Sequence, residues 1–368
     1  MKLKDFKLER YFAKHEFTSK HLLSSSDCDG YELNYLLDVA SKEELKLWND
    51  IKLGYTESAG SPILRDSILQ YYQTNNINHV VVSSPGELNF VAMNVLLDAQ
   101  DHVVVVSPAY QSLHEVVQAL NCQVSYWKPN DKWDFEISDL EELMQKNTKL
   151  IIINFPHNPT GSYLSIDKLN KIVEIATKNN CYIFSDEMYH KLVFDPKIEL
   201  PPISDIYDKG ISLWGTSKTF GMAGLRTGWL VSQDEDFLKK VISFKDYLSI
   251  CSSSTSEVLS VIALNHMDIF RLPNIKKIDQ NIKLFKTFSQ NHKAIDSFIE
   301  PRAGSTAFVK LNIQNSSLEF SDDLVQKAGI MTVPAEMFAF DGKYIRIGFG
   351  REGMRETLKV FGDYLEGI

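Results

Sequence analysis

Hydrophobic positions change their rhythm twice along this 368-residue chain. Up to about residue 72 they recur at helical spacing. Ser41, with Glu44 at the capping-box position, opens a predicted helix through Leu45, Leu47, Trp48 and Ile51 that stops at Gly54. Ile63, Leu64, Ile68, Leu69 and Tyr72 mark another. From about residue 80 short β-branched runs take over, alternating with amphipathic stretches. Val80–Val82, Val103–Val106, Leu150–Asn154, Cys181–Phe184, Ile211–Leu213 and Trp229–Val231 predict strands. Helices are predicted from Leu88, over Ile166–Ala176, Phe237–Leu248 and Val258–Met267. Apolar runs of this kind, separated by helices, predict crossover βαβ units and a mainly parallel sheet flanked by helices. A charged helix from about Asn274 to Asn291 leads to an α+β region. There Ala307–Leu311, Ile330–Val333 and Tyr344–Phe349 predict strands before a terminal helix.

The polar residues that follow these strands carry the candidate chemistry, because open α/β sheets bind ligands at the C-terminal ends of their strands. Tyr110 follows Ser107-Pro108; Asn158 sits in the rigid turn F-P-H-N-P-T-G at 155–161; Asp186 opens D-E-M-Y; and the S-S-P-G-E turn at 83–87 places backbone N–H groups at a helix start. The stretch W-G-T-S-K-T-F-G-M-A-G-L-R-T-G at 214–228 sets Lys218 among hydroxyls and glycines, with Arg226 eight residues on. That is what an amine needs to form a Schiff base on a phosphorylated aldehyde such as pyridoxal 5'-phosphate. Each feature alone has a plainer reading: a solvated lysine, an acid that caps a helix or binds Mg²⁺, a turn that only caps, a packing role for Tyr55. His157 reads as a structural neighbour of Asn158, Arg351 as a surface residue, and S-S-S-D-C-D-G at 24–30 as a loop. Ser252–Ser254 either line a partner's pocket or cap the next helix.

Length suggests about two domains. A hydrophobic share of 44% and a charged share of 24% are those of an ordinary globular protein. The formal charge of −9 lies in mixed blocks without a basic stripe, which argues against nucleic acid as a partner. Cys28, Cys122, Cys181 and Cys251 lack metal-site or disulfide spacing and read as buried thiols of a cytoplasmic protein. A charged N-terminus without an apolar core, and no bilayer-length apolar run, argue against secretion and membrane insertion.

N-P-T-G at Asn158, D-x-x-Y at Asp186, S-K at Lys218, R-x-G at Arg226 and R-x-G-F at Arg346 stand in one order between Tyr55 and Arg346. The ordered set resembles the fold-type-I, class I/II aminotransferases that use pyridoxal phosphate. The resemblance implies an α/β fold with a mainly parallel seven-stranded sheet and a smaller α+β domain drawn from both chain ends. It implies an arm and part of the small domain over 1–45, a large cofactor-binding domain over 46–270 and a C-terminal small domain over 271–368. It assigns Lys218 to the Schiff base and to proton transfer, Asp186 to the pyridine nitrogen, Asn158 and Tyr189 to the phenolic oxygen, and Tyr110 to the ring face. Arg226, Ser217 and the backbone amides near Gly86, Glu87 and Leu88 match the phosphate cup, and Arg346 matches the grip on the substrate α-carboxylate. Asn158 is counted with the substrate contacts as well. Tyr55 matches a tyrosine that reaches the neighbouring subunit's phosphate, which implies a homodimer with shared active sites.

Where many members have a phosphate-binding serine three residues before the lysine, this chain has Gly215. S-D-C-D-G, Y-T-E-S-A-G-S-P-x-L-R and F-P-H-N-P-T-G are similar to the branch that includes capreomycidine-synthase-like enzymes. The resemblance therefore leaves two reactions: transamination between an amino acid and a 2-oxo acid, or elimination, replacement or cyclisation. A cofactor-binding regulator is the weakest reading, since the chain has no room for a helix-turn-helix domain ahead of the arm. The segment 244–257, which resembles the part lining the partner's site, contains no arginine and so argues against an acidic substrate side chain.

Overall fold

The computed structural model describes residues 2–367. Its main sheet has seven strands: β2 (Val80–Ser83), β3 (His102–Val106), β4 (Gln123–Trp127), β5 (Thr148–Asn154), β6 (Tyr182–Asp186), β7 (Gly210–Gly215) and β8 (Gly228–Ser232). A short β1 (His21–Leu22) precedes them. The spatial order is β2-β8-β7-β6-β5-β3-β4. Pairing is parallel from β7 through β4 and antiparallel on both sides of β8, so β8 alone runs against the other six. This matches the mainly parallel sheet read from the apolar runs, whose residues are buried throughout β2, β3 and β7.

The reversed strand has a functional consequence. The C-terminal ends of β2, β3, β5, β6 and β7 share one edge, and the N-terminal end of β8 lies at that same edge. Residues after five strands and residues before a sixth therefore meet there.

The second layer is the antiparallel sheet β12-β13-β10-β9, built from Ile295–Ser297 (β9), Thr306–Leu311 (β10), Val333–Pro334 (β12) and Tyr344–Gly348 (β13). Helices Met267–Asn291, Ser317–Ala328 and Met354–Glu366 accompany it. Its core joins Ile278, Phe285, Val309, Leu324, Ile347 and Phe361 with Leu23 and Cys28 from the beginning of the chain. β1 also pairs in parallel with β11 (Ile330–Met331). Both chain ends thus build the smaller α+β unit.

Four local readings need correction. The single strand expected over Ile330–Val333 is two dipeptide strands in different sheets, broken at buried Thr332, and Pro334 then ends the second because it has no N–H to pair. The charged helix begins at Met267, seven residues before the expected Asn274, and carries Pro273 inside it. A proline normally marks a boundary, but Phe270, buried in one core cluster with Leu36, Trp214 and Phe220 and edge-on to Tyr31, anchors the first turns. Patterning also reads Ser252–Ser256 as a hydroxyl-rich loop, but the loop is shorter: Ser253 caps a helix that starts at Ser254, its Oγ accepting from the Ser256 N–H. Only Cys28 and Cys181 of the four thiols are buried. No helix among the described residues is long and apolar enough to cross a membrane.

Candidate functional site

The turn after β7 carries Lys218 to the shared edge. Its side chain is half-buried, and its Nζ donates to Ser26 Oγ at 2.8 Å. Burial pulls the amine below the ordinary lysine value; Asp27 and Asp186 oppose that shift and Arg346 adds to it. Asp186, the last residue of β6, is 8% exposed and accepts from the Met188 N–H at 3.1 Å. No cation lies within ion-pair distance of its carboxylate among the described residues, and burial pushes its pKa up to about 6. Asn154, at the end of β5, bridges the neighbouring strand ends: its Nδ2 donates to the Asp186 carbonyl at 2.8 Å and its Oδ1 accepts from the Asn158 N–H at 2.9 Å. Sequence reasoning missed Asn154 as a site residue. The available signal was a polar residue closing the apolar run Leu150–Ile153.

A second group surrounds the N-terminus of helix Pro85–Leu96. Gly86 and Glu87 occupy its first turn, where N–H groups have no intrahelical acceptor. Leu88 does not fit the expected cup: its N–H is bonded to the Ser84 carbonyl at 3.0 Å and its side chain is buried in the core. The Glu87 carboxylate turns away to Ser83 and Ser249, leaving only its backbone as a candidate. Asn89 and Ser112 line the cavity instead, joined at 2.7 Å, and Asn89 Oδ1 is buried without a partner. They too were missed; an asparagine within an apolar helix was the clue. Arg226 comes to the same cavity because β8 is reversed. It has left-handed backbone at φ 55°, donates only to the Ala223 carbonyl, and has no carboxylate within ion-pair distance among the described residues. Ser217 lies beside it in the cavity wall. Gly215 has a packing reason: a Cβ there would meet the Thr227 carbonyl oxygen at 2.8 Å and Gly228 Cα at 2.9 Å.

The opposite wall comes from the smaller unit and the N-terminal segment. Arg346 on β13 is 1% exposed, donates from Nε and Nη2 to the Ser24 carbonyl and from Nη1 to Asn158 Oδ1, and sits over the rings of Phe12 and Phe338. Burial lowers its pKa, yet no carboxylate pairs with it among the described residues. Tyr189 donates to the Ser26 carbonyl at 3.0 Å, and burial pushes its phenol up to about 12. Tyr110 donates to Glu9 at 2.6 Å and packs on Phe6. Glu9 and Glu16 line the cavity from helix Lys7–His15 and its C-cap.

Arg351 is no free surface residue; it pairs with Asp27 at 2.9 Å in the Ser24–Gly30 segment. His157 is buried against Thr160, and burial lowers its pKa to about 3, in keeping with a structural role. Tyr55 is 89% exposed and stands outside this chain's cavity.

The cavity of about 420 Å³ thus gathers a half-buried amine, a carboxylate and a guanidinium that have no ion-pair partner among the described residues, free helix N–H groups, and a second, buried guanidinium. This donor set can hold a cationic ring nitrogen at the carboxylate, a phosphate at Arg226 and an aldehyde carbon at the amine. It fits pyridoxal phosphate, and fold and site together define a pyridoxal-phosphate-dependent enzyme of fold type I.

The fold agrees with a solved aminotransferase of that dependence from Streptococcus suis at a TM-score of 0.93 and 27% identity, covering 100% of this chain and 99% of that one. It also agrees with the pyridoxal-phosphate-dependent cyclase OrfR at a TM-score of 0.91 and 23% identity, a likeness of fold, over 100% and 98% of the two chains. In sequence the chain is 27% identical to capreomycidine synthase of Streptomyces vinaceus, over 94% of this chain and 88% of the relative. It is 27% identical to an aspartate aminotransferase of Sulfolobus acidocaldarius, over 80% and 78%. The model for aminotransferases of class I and II matches residues 18–361. The chain belongs to that family.

Proposed function

We propose that this protein transfers an amino group between an amino acid and a 2-oxo acid, carrying pyridoxal phosphate on Lys218. The observation that supports it is the Lys218 amine, half-buried and low in pKa, sharing one cavity with Asp186 and Arg346. Bound pyridoxal phosphate supplies an electron sink for the pair left when the substrate Cα loses its proton.

The protein does the rest. Lys218 Nζ moves that proton, and its lowered pKa keeps more of it in the basic form. Asp186 keeps a proton on the ring nitrogen, Asn158 and Tyr189 orient the ring through its phenolic oxygen, and Tyr110 packs on its face. Arg226, Ser217 and the N–H groups of Gly86 and Glu87 hold the phosphate. Arg346 binds the substrate α-carboxylate, a two-pronged task suited to a guanidinium. Tyr55 completes the partner subunit's phosphate site in a cytoplasmic homodimer, and the domain divisions at 45/46 and 270/271 follow the same assignment.

The substrate side chain is not acidic. The wall holds Glu9 and Glu16, segment 244–257 holds no arginine, and a second carboxylate would meet like charge there. The alternative of a lyase or cyclising reaction is supported by the likeness to capreomycidine synthase. One experiment separates them: the purified enzyme is mixed with single amino acids, without a 2-oxo acid, and the cofactor is assayed for conversion to its amino form. Conversion with neutral or basic amino acids is expected; consumption of substrate without it would favour the alternative. Lys218→Ala should fold and lose the visible absorption of the lysine-bound cofactor. Cofactor left covalently attached to that variant after borohydride reduction would remove Lys218 from its role.

A further inference from the structure

The Ser24–Gly30 segment, which patterning reads only as a polar loop, is held by the site's own side chains. Arg346 donates twice to the Ser24 carbonyl, at 3.1 and 2.9 Å. The Ser26 carbonyl accepts from Tyr189 at 3.0 Å and from Ser305 Oγ at 2.8 Å. Asp27 pairs with Arg351. The segment also lies on glycine backbone: a Cβ at Gly348 would come within 1.8 Å of the Ser25 carbonyl oxygen, and one at Gly350 within 2.4 Å of the Asp27 carbonyl oxygen. Ser26 is therefore fixed on both sides, and its hydroxyl is the hydrogen-bond partner of Lys218 Nζ, at 2.8 Å.

We propose that Ser26 is a positioning residue for Lys218, its hydroxyl selecting one placement of Nζ and favouring the protonated nitrogen by accepting from it. A lysine side chain has many rotamers, and one acceptor on a rigid backbone restricts them. Other groups act on Nζ only through space. Asp27 and Asp186 favour its protonated form, Arg346 disfavours it, and the Cys28 thiol and Glu16 also face it. No carboxylate lies within ion-pair distance of Nζ among the described residues. Ser26 is thus the direct contact. The proposal rests on Lys218 being the cofactor-bearing residue.

The test is a pH titration of the visible band of the lysine-bound cofactor in wild type, Ser26→Ala and Ser26→Thr. Loss of an acceptor to a charged nitrogen should lower the midpoint in Ser26→Ala by about one pH unit. Ser26→Thr, which keeps the hydroxyl, should return most of it. In steady state, kcat should fall about ten-fold in Ser26→Ala with KM little changed, because the residue acts on the lysine and not on the substrate. A residue that only supports the loop would change melting temperature or cofactor content and leave the midpoint alone. An unchanged or raised midpoint in Ser26→Ala, or a Ser26→Thr midpoint equal to that of alanine, overturns the proposal. Should Ser26→Ala not fold, Ser26→Gly carries the same expectation. A band that persists in Lys218→Ala would instead sink the assignment of the lysine, so the two failures are distinguishable.

Discussion

Arg346 donates from Nη1 to Asn158 Oδ1 at 3.2 Å, joining residues 188 positions apart in the chain. The contact takes up the asparagine's acceptor and leaves its Nδ2 free to donate. Asn158→Asp should convert the contact into an ion pair that competes with the substrate carboxylate for Arg346. KM for the amino acid should rise by about ten-fold or more, the equivalent of about 1.4 kcal/mol. Steady-state kinetics check this, and an unchanged KM would mean that Arg346 binds something else.

Gly215 yields a prediction opposite to the one that family likeness suggests. Gly215→Ser restores the hydroxyl that many relatives have, yet its Cβ would press on backbone at Thr227 and Gly228. We expect a loss of about 1–3 kcal/mol in unfolding free energy and no gain in cofactor affinity. Denaturant unfolding with a cofactor titration reads both.

Exposed Tyr55 is the test of a shared site. Tyr55→Phe should weaken cofactor binding by about 1.5–3 kcal/mol, the scale of a hydrogen bond to a charged group. Mixed with Lys218→Ala chains, it should give hybrid dimers in which one site combines an intact Lys218 with the partner's intact tyrosine. Those sites should bind cofactor as wild type does. If every Lys218-bearing site keeps the Tyr55→Phe defect, the tyrosine serves its own chain.

Glu187 carries a pH dependence. Its Oε1 accepts from the Ile203 N–H at 2.9 Å and from Ser212 at 3.1 Å, its Oε2 has no partner, and burial raises its pKa from 4.5 to about 8. Because the folded value lies above the unfolded one, the protonated form is favoured by folding. Its stability contribution is complete below about pH 4.5 and declines as pH rises toward about 8. Asp186 adds a similar decline only up to about pH 6. Between about pH 6.5 and pH 8 the wild type should therefore lose about 2 kcal/mol that Glu187→Gln does not lose. Unfolding measured at the two pH values in both proteins decides it.

The sequence by itself determined the strand and helix succession, because buried strands need continuous apolar runs and each helix shows its own period. It also determined the ordered motifs at Asn158, Asp186, Lys218, Arg226 and Arg346. These signals are local, and short segments carry them whole. Leu88 shows the limit of that locality: one step in helix register moves an N–H from the free first turn to a bonded one. Only tertiary structure decided that β8 runs backwards, which brings Arg226 to the same edge as Lys218. It alone decided the contacts of Ser26 with Lys218, 192 residues away, and of Ser24 with Arg346, 322 residues away. Hydrogen bonds across such distances arise from how two units and both chain ends pack together, and no periodicity within a segment encodes them.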